Sequence, residues 1–258
     1  MASDLNIFPI QALSDNYIWC INDGCYAVVV DPGDAAPVIE SLNKHGLRLD
    51  AILITHHHAD HTAGIQELTS VYKNIPVIGP KNSKTKGLTH LVAENETVSF
   101  ANLDMPLRVL EVPGHTLDHV AYYSDTALFC GDTLFCAGCG RIFEGTPEQM
   151  WSSLQKICSL PDTMQVYCTH EYTLANLNFA QAVEPNNEDI QTAIESVKQL
   201  RSAGLPSLPS NLALERSINP FLRADIQENW PFLEKHTQQK VANSVSAFAA
   251  IRGWKDKF

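Results

Sequence analysis

Four histidines and one aspartate lie within eight residues, in the segment 55–62. The segment follows the apolar run 51–54, which predicts a buried strand, and it precedes 62–68, which predicts the start of a helix. Neutral imidazole and carboxylate are groups with which proteins bind Zn²⁺ and similar first-row ions. A strand end that carries these side chains therefore predicts a metal site.

Further candidate ligands directly follow other predicted strands. His115 comes after the strand predicted at 107–112, Asp132 after 127–130, and His170 after 165–169. Side chains at strand ends on one rim can converge while the sheets behind them stay rigid. The predicted set is His56, His58, Asp60, His61, His115, Asp132 and His170. Seven ligands are too many for one tetrahedral ion and suit two, with a carboxylate as the natural bridge.

The elements predicted around these residues form a mixed α/β domain followed by a helical one. Strands at 17–21 and 25–30 flank an Asn-Asp-Gly turn, and a second hairpin joins 120–123 to 127–130. A helix is predicted at 36–45, and another begins with Thr146 as its N-cap and Pro147 in its first position. The segment 80–97 is predicted to be irregular, and helices alone are predicted after Tyr172. We therefore predict a metal-binding catalytic domain at 1–171 and a helical substrate-binding domain at 172–258.

Composition narrows the class of protein. The chain has 258 residues and a net charge of −11, which disfavours nucleic acid and anionic membranes as partners. No apolar run has the length of a membrane span, and the segment 1–6 lacks the features of a secretory leader. The seven cysteines are scattered and odd in number. We therefore expect a cytoplasmic protein with reduced thiols, acting as a monomer.

The motifs resemble those of the metallo-β-lactamase superfamily. The resemblance rests on Thr-His-x-His-x-Asp-His at 55–61, Pro-Gly-His-Thr at 113–116, Gly-Asp-Thr-Leu at 131–134 and the late strand-end His170. Other segments resemble the glyoxalase II family, the hydroxyacylglutathione hydrolases. These are Phe-Cys-Ala-Gly-Cys-Gly-Arg at 135–141, Phe-Glu-Gly-Thr at 143–146, Thr-His-Glu-Tyr-Thr at 169–173, Asn-Pro-Phe-Leu-Arg at 219–223 and the last seven residues. The resemblance covers essentially the whole chain.

The resemblance implies a fold, two metal ions and a reaction. The fold would be an αββα sandwich with an added C-terminal helical domain. One ion would be held by His56, His58 and His115, the other by Asp60, His61 and His170, with Asp132 as the bridge. Zn²⁺ is preferred, with iron or manganese as alternatives. A hydroxide that bridges the ions, oriented by Asp60, would hydrolyse S-D-lactoylglutathione to D-lactate and glutathione, the second step of methylglyoxal detoxification.

The resemblance also implies a binding site for the carboxylates of glutathione. Arg141, Tyr172, Arg252 and Lys255 would bind the peptide. At Phe143 the family often has tyrosine, so one hydrogen bond to the peptide is expected to be missing. The Cys-x-x-Cys at 136–139 has no second copy and lies in a glycine-rich loop, which favours a role in loop geometry over a redox or zinc role.

Three other functions are less compatible with the sequence. A persulfide dioxygenase with a single iron would not use Asp60 and His61 as a second ligand set. A phosphodiesterase or nuclease would need a basic channel, which a net charge of −11 argues against. A non-enzymatic scaffold is disfavoured because the ligand set is complete.

Overall fold

The structure, a computed structural model, describes residues 5–258. The absence of a secretory leader is predicted from residues 1–6. The first four of these residues lie outside the described range. The chain divides into two compact units. The first contains the residues up to Glu111 and Asp118–Gly131, and the second contains Val112–Leu117 and Asp132–Phe258. The domain boundary predicted near residue 172 stays a prediction.

The described residues of the first unit form ten strands and three helices. The strands are β1 (Asn6–Ala12), β2 (Asn16–Asn22), β3 (Tyr26–Val30), β4 (Arg48–Leu53), β5 (Val77–Pro80), β6 (His90–Val92), β7 (Thr97–Val98), β8 (Leu107–Glu111), β9 (Val120–Tyr123) and β10 (Ala127–Gly131). The helices are α1 (Ala35–His45), α2 (Ala59–Thr62) and α3 (Ile65–Val71). Strands β1 to β6 form one sheet in chain order, and β7 to β10 lie side by side in a second sheet.

Pairing in the first sheet changes from antiparallel to parallel at β3. Strands β1, β2 and β3 pair antiparallel, whereas β3, β4, β5 and β6 pair parallel. Because β3 and β4 are parallel, their carboxyl ends meet at the same edge of the sheet. That edge carries Asp31 after β3 and the histidine segment after β4.

The sheet has apolar contacts on both faces, which explains its continuous apolar runs. One face forms a core with α1 and α3 that includes Val29, Ile52 and Leu42. The hydroxyl of Tyr122, from the second sheet, donates a hydrogen bond of 2.9 Å to the carbonyl oxygen of Ile54. This contact ties β9 to the segment that leads into the histidines.

The segment predicted to be irregular at 80–97 contains two short strands, β6 and β7. Strand β6 has three residues, two of them exposed, and β7 has two residues. Strands this short have no period-2 alternation to read, so the sequence pattern did not reveal them.

The second unit is mainly helical. Its helices are α4 (Pro147–Cys158), α5 (Thr173–Val183), α6 (Glu188–Ser202), α7 (Leu212–Ile218), α8 (Trp230–Thr237) and α9 (Ser244–Lys255). Its strands are β11 (Leu134–Phe135), β12 (Gly138–Cys139), β13 (Gln165–Cys168) and β14 (Ser210–Asn211). The prediction of helices alone after residue 172 missed β14, a polar pair of residues that pairs with β13. No helix in the described part of the chain is long and apolar enough to cross a membrane.

Helix α4 begins as predicted. Thr146 caps the helix by accepting a hydrogen bond from the backbone N–H of Gln149, whose side chain in turn accepts from the N–H of Thr146. Pro147 occupies the first helical position, where the absence of an N–H costs nothing. Ser153, further along α4, donates to the carbonyl oxygen of Pro113 at 2.7 Å and so fixes the segment that carries His115.

Candidate metal centre

The histidine segment brings its ligand atoms together in pairs within the first unit. Nε2 of His56 lies 3.1 Å from Nδ1 of His58. Nε2 of His61 lies 3.4 Å from Oδ2 of Asp60. His56 and His61 are fully buried. The division of these four residues between two ions stays a prediction.

Asp31 supports this segment, and the sequence analysis missed it. One carboxylate oxygen accepts a hydrogen bond of 2.7 Å from the backbone N–H of Thr55. The other accepts one of 2.7 Å from the hydroxyl of Thr55 and lies 3.0 Å from Nδ1 of His61. A carboxylate at Nδ1 holds the proton there and leaves Nε2 to a cation. Asp31 could have been found from the parallel pairing of β3 with β4, because this pairing places the residue after β3 beside the residues after β4.

The backbone around Asp60 tolerates little change. A Cβ atom on Gly33 would lie 1.8 Å from the carbonyl oxygen of Asp60, so only glycine fits. Nδ2 of Asn16 donates to Oδ2 of Asp60 at 3.3 Å. Strand β2 and the turn after β3 therefore both fix the position of Asp60.

Two further histidines of this unit, His57 and His119, contact the predicted ligands or their loop. Nδ1 of His57 lies 2.8 Å from a carboxylate oxygen of Asp118. The ring of His119 stacks on that of His56, with centroids 4.5 Å apart, and its Nδ1 donates to the carbonyl oxygen of Val120. Asp118 thus contacts the side chain at the centre of the histidine segment.

Three predicted ligands lie together in the second unit. Oδ2 of Asp132 is 3.5 Å from Nε2 of His115, and Oδ1 is 3.4 Å from Nε2 of His170. The two oxygens of one carboxylate thus face two different imidazoles, as a bridge between two ions requires. Nδ1 of His115 donates to the carbonyl oxygen of Arg141 at 2.7 Å, which again leaves Nε2 to a cation.

These contacts fit divalent ions. The donors are imidazole nitrogens and carboxylate oxygens, which suit Zn²⁺, iron and manganese. Among residues 5–258, one set that could hold an ion consists of Asp31, His56 and His61, all buried. Because Asp31 also bonds Thr55 through both oxygens, we assign it to support and not to coordination.

The three predicted cations lie in the second unit, and Asp256 joins two of them, Arg141 and Arg252. Oδ1 of Asp256 accepts hydrogen bonds from Arg141 Nε at 3.1 Å and from a terminal nitrogen of Arg252 at 3.0 Å. Half of the Arg141 side chain is exposed, whereas Arg252 is buried and also donates to the carbonyl oxygen of Cys139 at 2.9 Å. Arg252 therefore has a structural role in addition to any contact with substrate.

Two of the other predicted substrate-binding residues contact histidines that are predicted metal ligands. The ring of Tyr172 stacks on that of His170, with centroids 4.7 Å apart. Phe143 is exposed and places its ring against His115, with centroids 5.3 Å apart. Lys255 lies on α9 with Arg252, as predicted, and burial, followed by the charge of that arginine, lowers its pKa.

The two cysteines of the Cys-x-x-Cys segment are buried free thiols. Burial raises the pKa of Cys139 to about 11 and raises the pKa of Cys136 well above its usual value, so neither is a thiolate at neutral pH. This agrees with a role in loop geometry.

Comparison with known proteins finds relatives that match almost the whole chain. Residues 14–170 match the metallo-β-lactamase superfamily, and residues 171–258 match the hydroxyacylglutathione hydrolase C-terminus. The chain is 47% identical to a hydroxyacylglutathione hydrolase of Nitrosomonas eutropha, over 98% of this chain and 99% of the relative. It is 51% identical to that of Aliivibrio salmonicida, over 98% of this chain and 100% of the relative.

Solved structures show the same fold at lower identity. ETHE1 from Myxococcus xanthus has a TM-score of 0.65 and 22% identity, covering 97% of this chain and 99% of that chain. The BLEG-1 B3 metallo-β-lactamase has a TM-score of 0.63 and 22% identity, covering 84% of this chain and 99% of that chain. The predicted fold, with its added C-terminal domain, is confirmed. The chain belongs to the hydroxyacylglutathione hydrolase family of the metallo-β-lactamase superfamily.

Proposed function

We propose that the chain hydrolyses the thioester S-D-lactoylglutathione to D-lactate and glutathione. Family membership supports the class of reaction, and one structural observation carries its location. In the second unit two residues that would bind glutathione contact the proposed metal-ligand histidines. The backbone carbonyl of Arg141 accepts the Nδ1 proton of His115, and the ring of Tyr172 stacks on His170. A peptide bound to these groups would have its thioester beside the ligands.

We propose that seven side chains hold two divalent ions. Those for one ion are His56, His58 and His115, those for the other are Asp60, His61 and His170, and Asp132 binds both. The pairs of ligand atoms within each unit, 3.1 to 3.5 Å apart, support this assignment. Zn²⁺ is the preferred ion, with iron or manganese as alternatives that metal analysis of the purified protein would distinguish.

The bound ions would lower the pKa of water and polarise the thioester carbonyl. The chain itself orients the reactants. Asp60, held by Asn16, is placed to accept a proton from the attacking water. Water oxygen bonds to the carbonyl carbon, the carbon–sulfur bond breaks, and glutathione leaves as a thiolate that takes up a proton. Arg141, Arg252 and Lys255 would hold the carboxylates of the peptide throughout, because cations must balance them in a chain of net charge −11.

The test follows loss of thioester absorbance in the purified protein, before chelation, after chelation and after Zn²⁺ is restored. We expect hydrolysis that is lost with the metal and regained with it. The control substrate is a thioester that lacks the carboxylates of glutathione. Its KM should be much higher than that of S-D-lactoylglutathione. Metal-dependent oxygen consumption with glutathione persulfide, in the absence of thioester hydrolysis, would instead identify the dioxygenase alternative.

Asp132→Ala tests the bridge. The variant should lose bound metal as well as rate, because Asp132 faces both His115 and His170. Asp125→Ala, in the exposed hairpin turn, removes a carboxylate elsewhere and is the control. Full metal content in Asp132→Ala would contradict the assignment.

We also propose a cytoplasmic monomer. The seven free thiols support a reducing compartment. Light scattering of the purified protein tests the oligomeric state, and fractionation of cells that express the chain tests the location.

A further inference from the structure

The turn that joins β11 to β12, residues 135–139, is held by buried side chains from later in the chain. Nδ2 of Asn219 lies 2.9 Å from the carbonyl oxygen of Gly138 and 3.2 Å from that of Phe135. Nδ2 of Asn176 donates to the carbonyl oxygen of Cys136 at 3.1 Å. The turn is thus fixed by side chains 40 or more positions away along the chain.

Glu215, on α7, is the acceptor at the centre of these contacts and is fully buried. Its Oε2 accepts a hydrogen bond of 2.9 Å from the backbone N–H of Ala137 and lies 3.0 Å from Nδ2 of Asn219. Its Oε1 accepts one of 2.6 Å from the hydroxyl of Ser210. Ala137 has a φ of 54°, which L-residues with a Cβ rarely adopt, so this hydrogen bond stabilises an unfavourable conformation.

The turn passes directly into contacts with two of the proposed ligands. A Cβ atom on Gly140 would lie 1.9 Å from the carbonyl oxygen of Asp132 and 3.0 Å from Nδ1 of His115. The next carbonyl, that of Arg141, accepts the Nδ1 proton of His115. Because Gly140 packs this closely against both residues, we expect a shift of the turn to displace Asp132, His115 or both.

We propose that Glu215 is a positioning residue for the metal centre, acting through the 135–139 turn on Asp132 and His115. The inference rests on the proposed ligand set. A buried carboxylate is costly unless its acceptors are used, and here both oxygens are used, one of them by the turn. Removing the acceptor releases the N–H of Ala137, and the two ligands lose their fixed separation.

The test compares zinc affinity, measured by competition with a chromophoric chelator, in three proteins. Glu215→Met keeps the length of the side chain but removes both acceptors, and we expect about 10- to 100-fold weaker binding of Zn²⁺. Glu215→Gln can place its amide oxygen where Oε2 lies while Ser210 accepts from its NH₂ group. It should therefore stay within roughly threefold of wild type.

Glu184→Met is the matched control for loss of stability. Glu184 is a buried carboxylate of the same unit, and its oxygens are bound by Arg223 and Asn187 and not by a group of the 135–139 turn. Its replacement should lower the Tm of the metal-free protein and leave zinc affinity unchanged. The visible spectrum of bound Co²⁺ should change in Glu215→Met alone, because that spectrum reports ligand geometry.

Wild-type zinc affinity and an unchanged Co²⁺ spectrum in Glu215→Met would overturn the inference. Equal loss of affinity in Glu184→Met would do the same, because the effect would then follow from stability. If Glu215→Met does not fold, Asn219→Leu is used instead, because it removes the hydrogen bonds from Asn219 to the carbonyl oxygens of Phe135 and Gly138. Its zinc affinity and Co²⁺ spectrum are judged by the same criteria. Thioesterase activity of the wild-type protein is measured separately, so failure of the proposed function is distinguishable from failure of this inference.

Discussion

Asp31→Asn should weaken binding of the ion that we assign to His61. The variant keeps the size of the side chain and can keep an oxygen as acceptor for the backbone N–H of Thr55. An NH₂ group then stands where Oδ2 accepts from the hydroxyl of Thr55 and lies 3.0 Å from Nδ1 of His61. Because an NH₂ group can only donate, it favours the tautomer of His61 with its proton on Nε2, the nitrogen that would bind the ion.

The magnitude follows from the type of contact. Loss of a carboxylate behind a metal-ligand histidine typically costs 10- to 100-fold in metal affinity. This corresponds to about 1.4–2.7 kcal/mol of binding free energy. Because His61 and Asp31 are almost completely buried, water cannot replace the lost acceptor. We expect the effect in the dissociation constant of one ion, with the other bound nearly as in wild type.

The assay is stepwise zinc competition against a chromophoric chelator. Asp50→Asn is the control, because Asp50 is also buried in the first unit and accepts three hydrogen bonds from Asn102 and Leu103, away from the histidines. It should reduce stability and leave both zinc constants unchanged. If Asp31→Asn binds two ions as tightly as wild type, the assigned tautomer of His61 is wrong.

Three further outcomes are expected. Asp256→Asn should raise KM for the glutathione thioester roughly 2- to 30-fold with little change in kcat. The reason is that Arg141 and Arg252 each lose a partly exposed ion pair, worth about 0.2–1 kcal/mol, that holds the guanidinium group in place. A changed kcat with unchanged KM would contradict this. The pKa of Lys255 is lowered from 10.5, so this lysine loses its positive charge at a lower pH than a free lysine does. KM should therefore rise as the pH passes through the pKa of Lys255, whereas KM of Lys255→Arg should stay constant over the same pH range, because arginine keeps its charge. Iodoacetamide at neutral pH should label Cys25, which is exposed, much faster than Cys20, Cys136 and Cys139, which are buried and whose pKa values burial raises; mass spectrometry after a short exposure checks this.

The strand-end positions of the ligands could be predicted because they depend on local patterns. Apolar runs before His56, His115, Asp132 and His170 predicted strands that the structure contains, with bounds that differ by a few residues at most. The helix that begins at Pro147 was predicted from its capping residue and proline alone. These signals span fewer than ten residues each, and so they survive without knowledge of the fold.

The supporting contacts could not be predicted, because their partners are distant in sequence. Asp31 is 30 positions from His61, and Arg141 is 115 positions from Asp256. Glu215 is 78 positions from the backbone N–H that it accepts. A lone acidic residue gives no local sign that its oxygens will be buried and used, and only the fold brings the partners together.

The histidines show how the chain can prepare a metal centre before an ion binds. An imidazole is a ligand only through a nitrogen without a proton, so each ring must have its proton held on the other nitrogen. Asp31 lies at Nδ1 of His61, and the backbone carbonyl of Arg141 accepts from Nδ1 of His115. One of these acceptors is charged and the other neutral. Because a carboxylate increases the basicity of its histidine more than a carbonyl does, His61 should donate more strongly to its ion than His115 does to the other. The two ions would then differ in affinity although each has a similar set of ligands, and the ion bound by His61 should be the last to be removed by a chelator.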